Sequence, residues 1–161
     1  MARLTTIALA AGVAAAATAT LLLTRSSDHG SKASSVRSVP SVRLAQTKLG
    51  RILVDARGRT LYLYLKDRGT RSACEGSCAR VWPPATVTGT PTAGPGVVAA
   101  ELTTARRRDH SRQLVYHGHP LYTLSSDIRP GQIGGEGFLG TWYVVSAAGN
   151  RVGKLRPSGG Y

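Results

Sequence analysis

The chain reads as an all-β protein: two tandem hairpin-based repeats forming one small barrel or sandwich, preceded by an N-terminal apolar helix. Three observations predict this. A set of landmark residues recurs at a constant offset of 60. Each copy consists of short alternating runs split by a glycine turn. No segment after residue 47 carries a helical period.

The first element is "LTTIALAAGVAAAATATLLLT", Leu4 to Thr24, which has 21 residues and no charge, and follows Arg3. A basic start and an apolar run read as a secretory signal or an uncleaved membrane anchor. Length favours an anchor, since about 18 apolar residues can span a bilayer. Ala17-Thr18-Ala19 offers a cleavage site, yet cutting there would leave Leu21-Leu22-Leu23 exposed. Released and anchored forms both stay open. No cysteine follows the run to carry a lipid. Arg25, Lys32, Arg37 and Arg43 do follow it, and the positive-inside rule alone would hold them in the cytoplasm. Long domains translocate despite such flanks. Export is therefore expected, to the outer face of the cytoplasmic membrane, the cell wall or the medium.

Residues 25–47 are rich in Ser and basic residues and lack aromatics, as a flexible tether does. The folded domain is expected over 48–157, with repeat one near 48–88, repeat two near 108–150 and a tail at 158–161. "GRTLYLYLKD" starts at Gly58 and "GHPLYTLSSD" at Gly118. Tyr62 matches Tyr122, Asp67 matches Asp127 and Trp82 matches Trp142, all at the same offset of 60. Self-similarity at a fixed spacing signals a duplicated unit.

In repeat one, "RILVDARGRTLYLYL" gives a strand, a turn at Ala56-Arg57-Gly58 and a second strand. Leu61, Leu63 and Leu65 share one strand face, and Tyr62 and Tyr64 share the other. Both faces are thus expected to be covered. Repeat two does the same around His117-Gly118, and "TWYVVSAAGNRVGKL" adds a hairpin at Gly149-Asn150. The Gly/Pro/Thr-rich connection between them has room for one short strand at Val97-Val98.

These residues resemble the bacterial secreted-repeat family of predicted lipoproteins, whose motif is Y-x-[FWY]-x-x-D. Tyr62-Leu63-Tyr64-Leu65-Lys66-Asp67 matches it fully, followed by Cys74, Cys78 and Trp82-Pro83-Pro84. The second copy, from Tyr122 to Asp127, departs at Leu124, where the motif asks for an aromatic. Pro130-Gly131, Gly135, Gly137 and Trp142 fit the second unit. The resemblance implies an envelope location and a tandem fold, and no particular activity.

The candidate site residues are those that recur. Asp67 and Asp127, each just past a strand, suit acceptance of backbone N–H groups in the following turn. A chemical alternative makes them a carboxylate pair sharing acid–base work or a cation. Cys74 and Cys78 are the only cysteines, and outside the cytoplasm a disulfide is the default. Such a pair can also bind copper or zinc or exchange thiols, with His117 and His119 as candidate ligands. Across the Gly turn the two histidines do not share a strand face.

Net charge is +13 for the chain and +9 from residue 48 onward. That favours anionic partners, a wall polymer or lipid headgroups. The run "RRRD" from Arg106 reads as a solvated loop or as a contact for them. Nucleic acid is disfavoured, because the few aromatics are embedded in strands. No G-x-S-x-G, H-E-x-x-H or P-loop pattern is present. The expected function is a noncatalytic envelope binding or interaction module without a cofactor, in contact with the membrane through residues 4–24 if these are uncleaved. Alternatives are a metal or thiol-redox module built on Cys74 and Cys78, and an enzyme using Asp67 and Asp127.

Overall fold

β1 (Val42–Thr47) and β2 (Gly50–Asp55) form an antiparallel hairpin, in register from Val42 opposite Asp55 to Thr47 opposite Gly50. The chain is seen here in a computed structural model that describes residues 41–153. β1 lies inside the stretch expected to be tether, so the fold starts before Lys48. The reason is pairing: Val42, fully buried, is fixed against β2, and its backbone also bonds Thr92 and Gly94. The apolar run at 4–24 and the tail at 158–161 lie outside the described residues. Among the described residues, no helix is long and apolar enough to cross a membrane.

The second hairpin pairs β4 (Leu102–Arg106) with β5 (Arg112–Tyr116). Repeat two therefore begins near Leu102 rather than 108. Its β5 turns back at once into β6 (His119–Pro120). His117 and Gly118 both take positive φ, 47° and 77°, as a tight two-residue hairpin requires. In repeat one, Gly58 at φ 84° closes the corresponding turn, donating to the Asp55 carbonyl. Val97-Val98 is not a strand, and a short 3-10 turn at Ala99–Glu101 leads into β4 instead. One α-helical turn, α1 (Ser77–Val81), follows the first cysteine. It is too short to have left a period in the sequence.

The two repeats exchange their ends. β3 (Tyr62–Tyr64) of repeat one pairs antiparallel with β7 (Trp142–Val144) of repeat two. Val145 N–H donates to the Leu61 carbonyl at 3.1 Å, and Leu53 N–H donates to the Val145 carbonyl at 2.8 Å. The mirror set is present in repeat two. Ala85 N–H donates to the Leu121 carbonyl at 2.9 Å, and Leu114 N–H to the Ala85 carbonyl at 2.7 Å. Ala85 and Val145 are 60 apart, so the exchange is reciprocal. The axis relating the copies passes between Tyr62 and Tyr122, whose backbones trade two 2.9 Å hydrogen bonds.

The strands make three small antiparallel sheets, two of two strands and one of three. They do not close into the barrel that the repeat suggested, because each hairpin ends in a turn and hands its neighbour position to a segment of the other copy. Both faces of β3 are covered, as its sequence requires. Leu61 and Leu63 join one core with Val42, Leu53, Leu114 and Leu121. Tyr62 joins a second with Ile52, Trp82, Tyr122 and Trp142. Each fully buried large side chain stabilises the fold by about 1.5–3 kcal/mol. Leu65, in line with Leu61 and Leu63, is instead 47% exposed, beyond the end of the strand.

Candidate functional site

The motif residues converge on the exchange axis. Each tyrosine reaches the aspartate of the other repeat. Tyr62 donates its hydroxyl proton to Asp127 Oδ2 in a short hydrogen bond. The Tyr122 hydroxyl lies 2.9 Å from Asp67 Oδ2 and donates to that carboxylate. Tyr62 and Tyr122 are fully buried, and Asp127 nearly so. Each aspartate also ties down the loop that follows it. Ala73 N–H donates to Asp67 Oδ1 at 2.7 Å, and Gly134 N–H to Asp127 Oδ1 at 3.2 Å. The expected backbone acceptance is present, and the crossed phenol is an addition the sequence did not disclose.

Electrostatics follow from burial. Desolvation pushes the Asp67 carboxyl up to about 6, against the pull of Ala73 N–H, the Tyr122 hydroxyl and the Arg107 charge. Burial also holds both phenols well above the ordinary tyrosine range, and for Tyr62 the Asp127 hydrogen bond adds to it. The hydrogen-bond partners of the two carboxylates are separate: Asp67 is held by Tyr122 and Ala73, and Asp127 by Tyr62 and Gly134.

Aromatic rings close the site. Trp82 and Trp142 stack face to face, centroids 4.0 Å apart, across the axis. Tyr64 stacks on the far face of the pair, 4.0 Å from Trp142. Tyr62 meets Trp82 edge-on at 5.3 Å, and Tyr122 meets Trp142 the same way at 5.1 Å. Such pairs add about 0.5–1.5 kcal/mol beyond area burial. Leu124 takes the place equivalent to Tyr64, so the stack is extended by a tyrosine on one side only.

Cys74 and Cys78 are joined, with Sγ atoms 1.97 Å apart. The thiolate reading needs free sulfurs, and here the two sulfurs hold each other, with Cys74 fully buried. His117 sits in the β5–β6 turn, its Nδ1 3.7 Å from Glu101, its ring edge-on to Tyr116. His119 is exposed in β6. Among the described residues no three His, Cys, Asp or Glu side chains gather where they could hold a metal.

Arg107 departs from the expected solvated run. It is 7% exposed and clamps the disulfide loop from the second hairpin. Its guanidinium donates to Ser72 Oγ, Gln113 Oε1, the Cys74 carbonyl and Glu75 Oε2, each at 2.7 Å. Ser72 Oγ in turn lies 2.7 Å from the Tyr122 hydroxyl, so Arg107 is wired to the Asp67 end of the site. Nothing in "RRRD" marks which arginine turns inward. Strand phase does not mark it either: counted in twos from buried Leu102 it puts Arg106 on the inner face, yet Arg106 is exposed and Arg107, past the strand end, is buried.

Comparison with known proteins agrees with this architecture. Residues 43–86 and 103–146 each match a lipoprotein family described as a secreted repeat of unknown function. The chain belongs to this family. The two matched copies cover more than half of it, and both begin at the first strand of a hairpin, β1 and β4. Membership in a secreted-repeat family implies export. No curated protein and no solved structure matches the chain.

Proposed function

We propose that the protein is a noncatalytic binding module of the cell envelope, working outside the cytoplasmic membrane. One observation carries this reading. The polar groups that recur in both repeats, Tyr62, Asp67, Tyr122 and Asp127, are turned inward and bonded to one another. They act as crossed ties between two copies, and a group held this way is not poised toward a substrate. Charge, by contrast, is outward: the exposed arginines greatly outnumber exposed carboxylates, which suits an anionic envelope surface. The disulfide fits an oxidising compartment.

The test is sedimentation of the full chain with washed bacterial envelopes. Saturable binding that falls as salt screens charge is expected. A chain that stays in the supernatant at low salt, or one that turns over envelope material, would defeat the reading.

A further inference from the structure

The β4–β5 hairpin carries an arrangement that its own stability does not explain. Arg106 and Arg112 stand directly opposite each other in register. Like charges at opposed positions destabilise a sheet. Repeat one, built to the same plan, avoids this: Gln46 faces Arg51 at the equivalent place. A local choice against the fold, made in one copy only, points to use.

The surroundings strengthen the point. On one side of the hairpin tip lies a concavity of about 540 Å³, lined by Arg71, Arg106, Arg107 and Arg108 with Ser72 and Thr104. On the other lies one of about 770 Å³, lined by Arg57, Arg59, His110 and Arg112 with Thr86 and Thr88. Three carboxylates lie along this surface, and each has partners of its own. Glu75 pairs with Arg107 and Asp55 with Arg59, both at 2.7 Å, while Asp109 accepts from Ser111 within the tip. Among the described residues Arg57, Arg71, Arg106, Arg108 and Arg112 form no ion pair. Arg112 is steadied by Thr104 Oγ1 at 3.0 Å, and Arg106 lies 3.4 Å from His110 Nδ1.

We infer that the second hairpin is a binding track for a phosphodiester polymer, with successive phosphates seated on either side of Arg106 and Arg112. This rests on the binding-module reading and gives it a ligand class. Guanidinium forks match phosphate oxygens two at a time, more closely than an ammonium does. Two separate basic concavities flanking one hairpin tip suit a chain of anions rather than one. Insertion into a bilayer would call for exposed apolar side chains among the cations, and none of the exposed large hydrophobics lines either concavity.

The test measures binding of the full chain to poly(glycerol phosphate) and, separately, to phosphatidylglycerol vesicles. Variants are Arg106→Gln, which copies repeat one, Arg106→Gln with Arg108→Gln, and Arg80→Gln, whose arginine lines neither concavity. Arg106→Gln is expected to weaken polymer binding on the order of tenfold, as loss of one charge-assisted contact does. It should also raise Tm by roughly 1–3 °C at low salt, since it relieves the opposed pair. Arg80→Gln should change binding little. Equal binding by wild type and Arg106→Gln would overturn the inference, as would equal loss in Arg80→Gln, which would mean net charge alone. Binding to vesicles without binding to polymer would assign the surface to headgroups and overturn it too. A wild-type chain that sediments with envelopes yet ignores the polymer would overturn this ligand and leave the binding-module reading standing.

Discussion

A buried aspartate that accepts from a phenol of the other repeat makes a claim that single substitutions test poorly and paired ones test well. Tyr62→Phe leaves Asp127 short of a donor and should cost about 1–3 kcal/mol. The informative quantity is coupling. Tyr62→Phe with Asp127→Asn should show an interaction of about 0.5–3 kcal/mol in urea unfolding, and so should Tyr122→Phe with Asp67→Asn. The same-repeat pairs, Tyr62 with Asp67 and Tyr122 with Asp127, should add within about 0.5 kcal/mol. The reverse pattern would mean that the motif works within one copy. Asp67 also predicts a pH dependence. Its carboxyl is pushed up to about 6 by burial, above its unfolded value of 3.8. Between those values the folded state binds more proton, so stability falls as pH rises from about 4 to about 6 and then levels. The half-buried side chain limits the effect to on the order of 1–2 kcal/mol. Asp67→Asn should remove that slope, read as urea midpoints at pH 4, 5, 6 and 7. The spacing of Tyr62 and Asp67 was legible in the sequence. Their crossing was not, because two equal copies offer each tyrosine two aspartates, and only the chain path between hairpins chooses.

At the scale of elements, the two loops that follow the aspartates are solved differently. Repeat one pins its loop with Cys74–Cys78, and repeat two has Gly134 and Phe138 at those places, with Phe138 leaning on Trp82 at 5.7 Å. The closed loop is small, so reduction should cost only about 2 kcal/mol by chain entropy. Thermal melts with and without reductant should show a lowered Tm and an intact fold. The second loop depends on close approach instead. A Cβ on Gly135 would lie 2.5 Å from Trp82 and 2.8 Å from Tyr62. Gly135→Ala should therefore cost about 1–3 kcal/mol through overpacking and weaken the near-ultraviolet signal of the tryptophan pair. Hairpins and glycine turns were readable here, because alternation and turn residues are local signals. β1 was not. Val42 and Leu44 alternate with Ser41, Arg43 and Ala45 in a stretch that continues the Ser- and Arg-rich composition before it. Only pairing with β2 distinguishes them. Arg107 was missed for the same kind of reason, since its burial depends on a loop 35 residues away.

At the scale of the molecule, the exchange of ends makes the two repeats one folding unit. A tandem repeat in the sequence is compatible with two small domains side by side. The 60-residue offset alone cannot separate that arrangement from this one. The hydrogen bonds do: Val145 lies between Leu53 and Leu61, and Ala85 lies between Leu114 and Leu121. Half of the chain would thus leave a groove where the other half's strand belongs, with unpaired backbone donors on buried strands. Trp82 and Trp142 would each lose the face of their stacking partner. Segments 41–96 and 97–153, expressed apart, should show no cooperative unfolding as monomers. Mixed in equal amounts, they should recover the near-ultraviolet dichroism of the intact chain with second-order kinetics. Because the copies are related by a twofold exchange, one half alone has a second way out, pairing with itself as a symmetric dimer. Sedimentation equilibrium distinguishes these results. Either complementation or self-pairing agrees with the exchanged architecture, and a folded, monomeric half would contradict it.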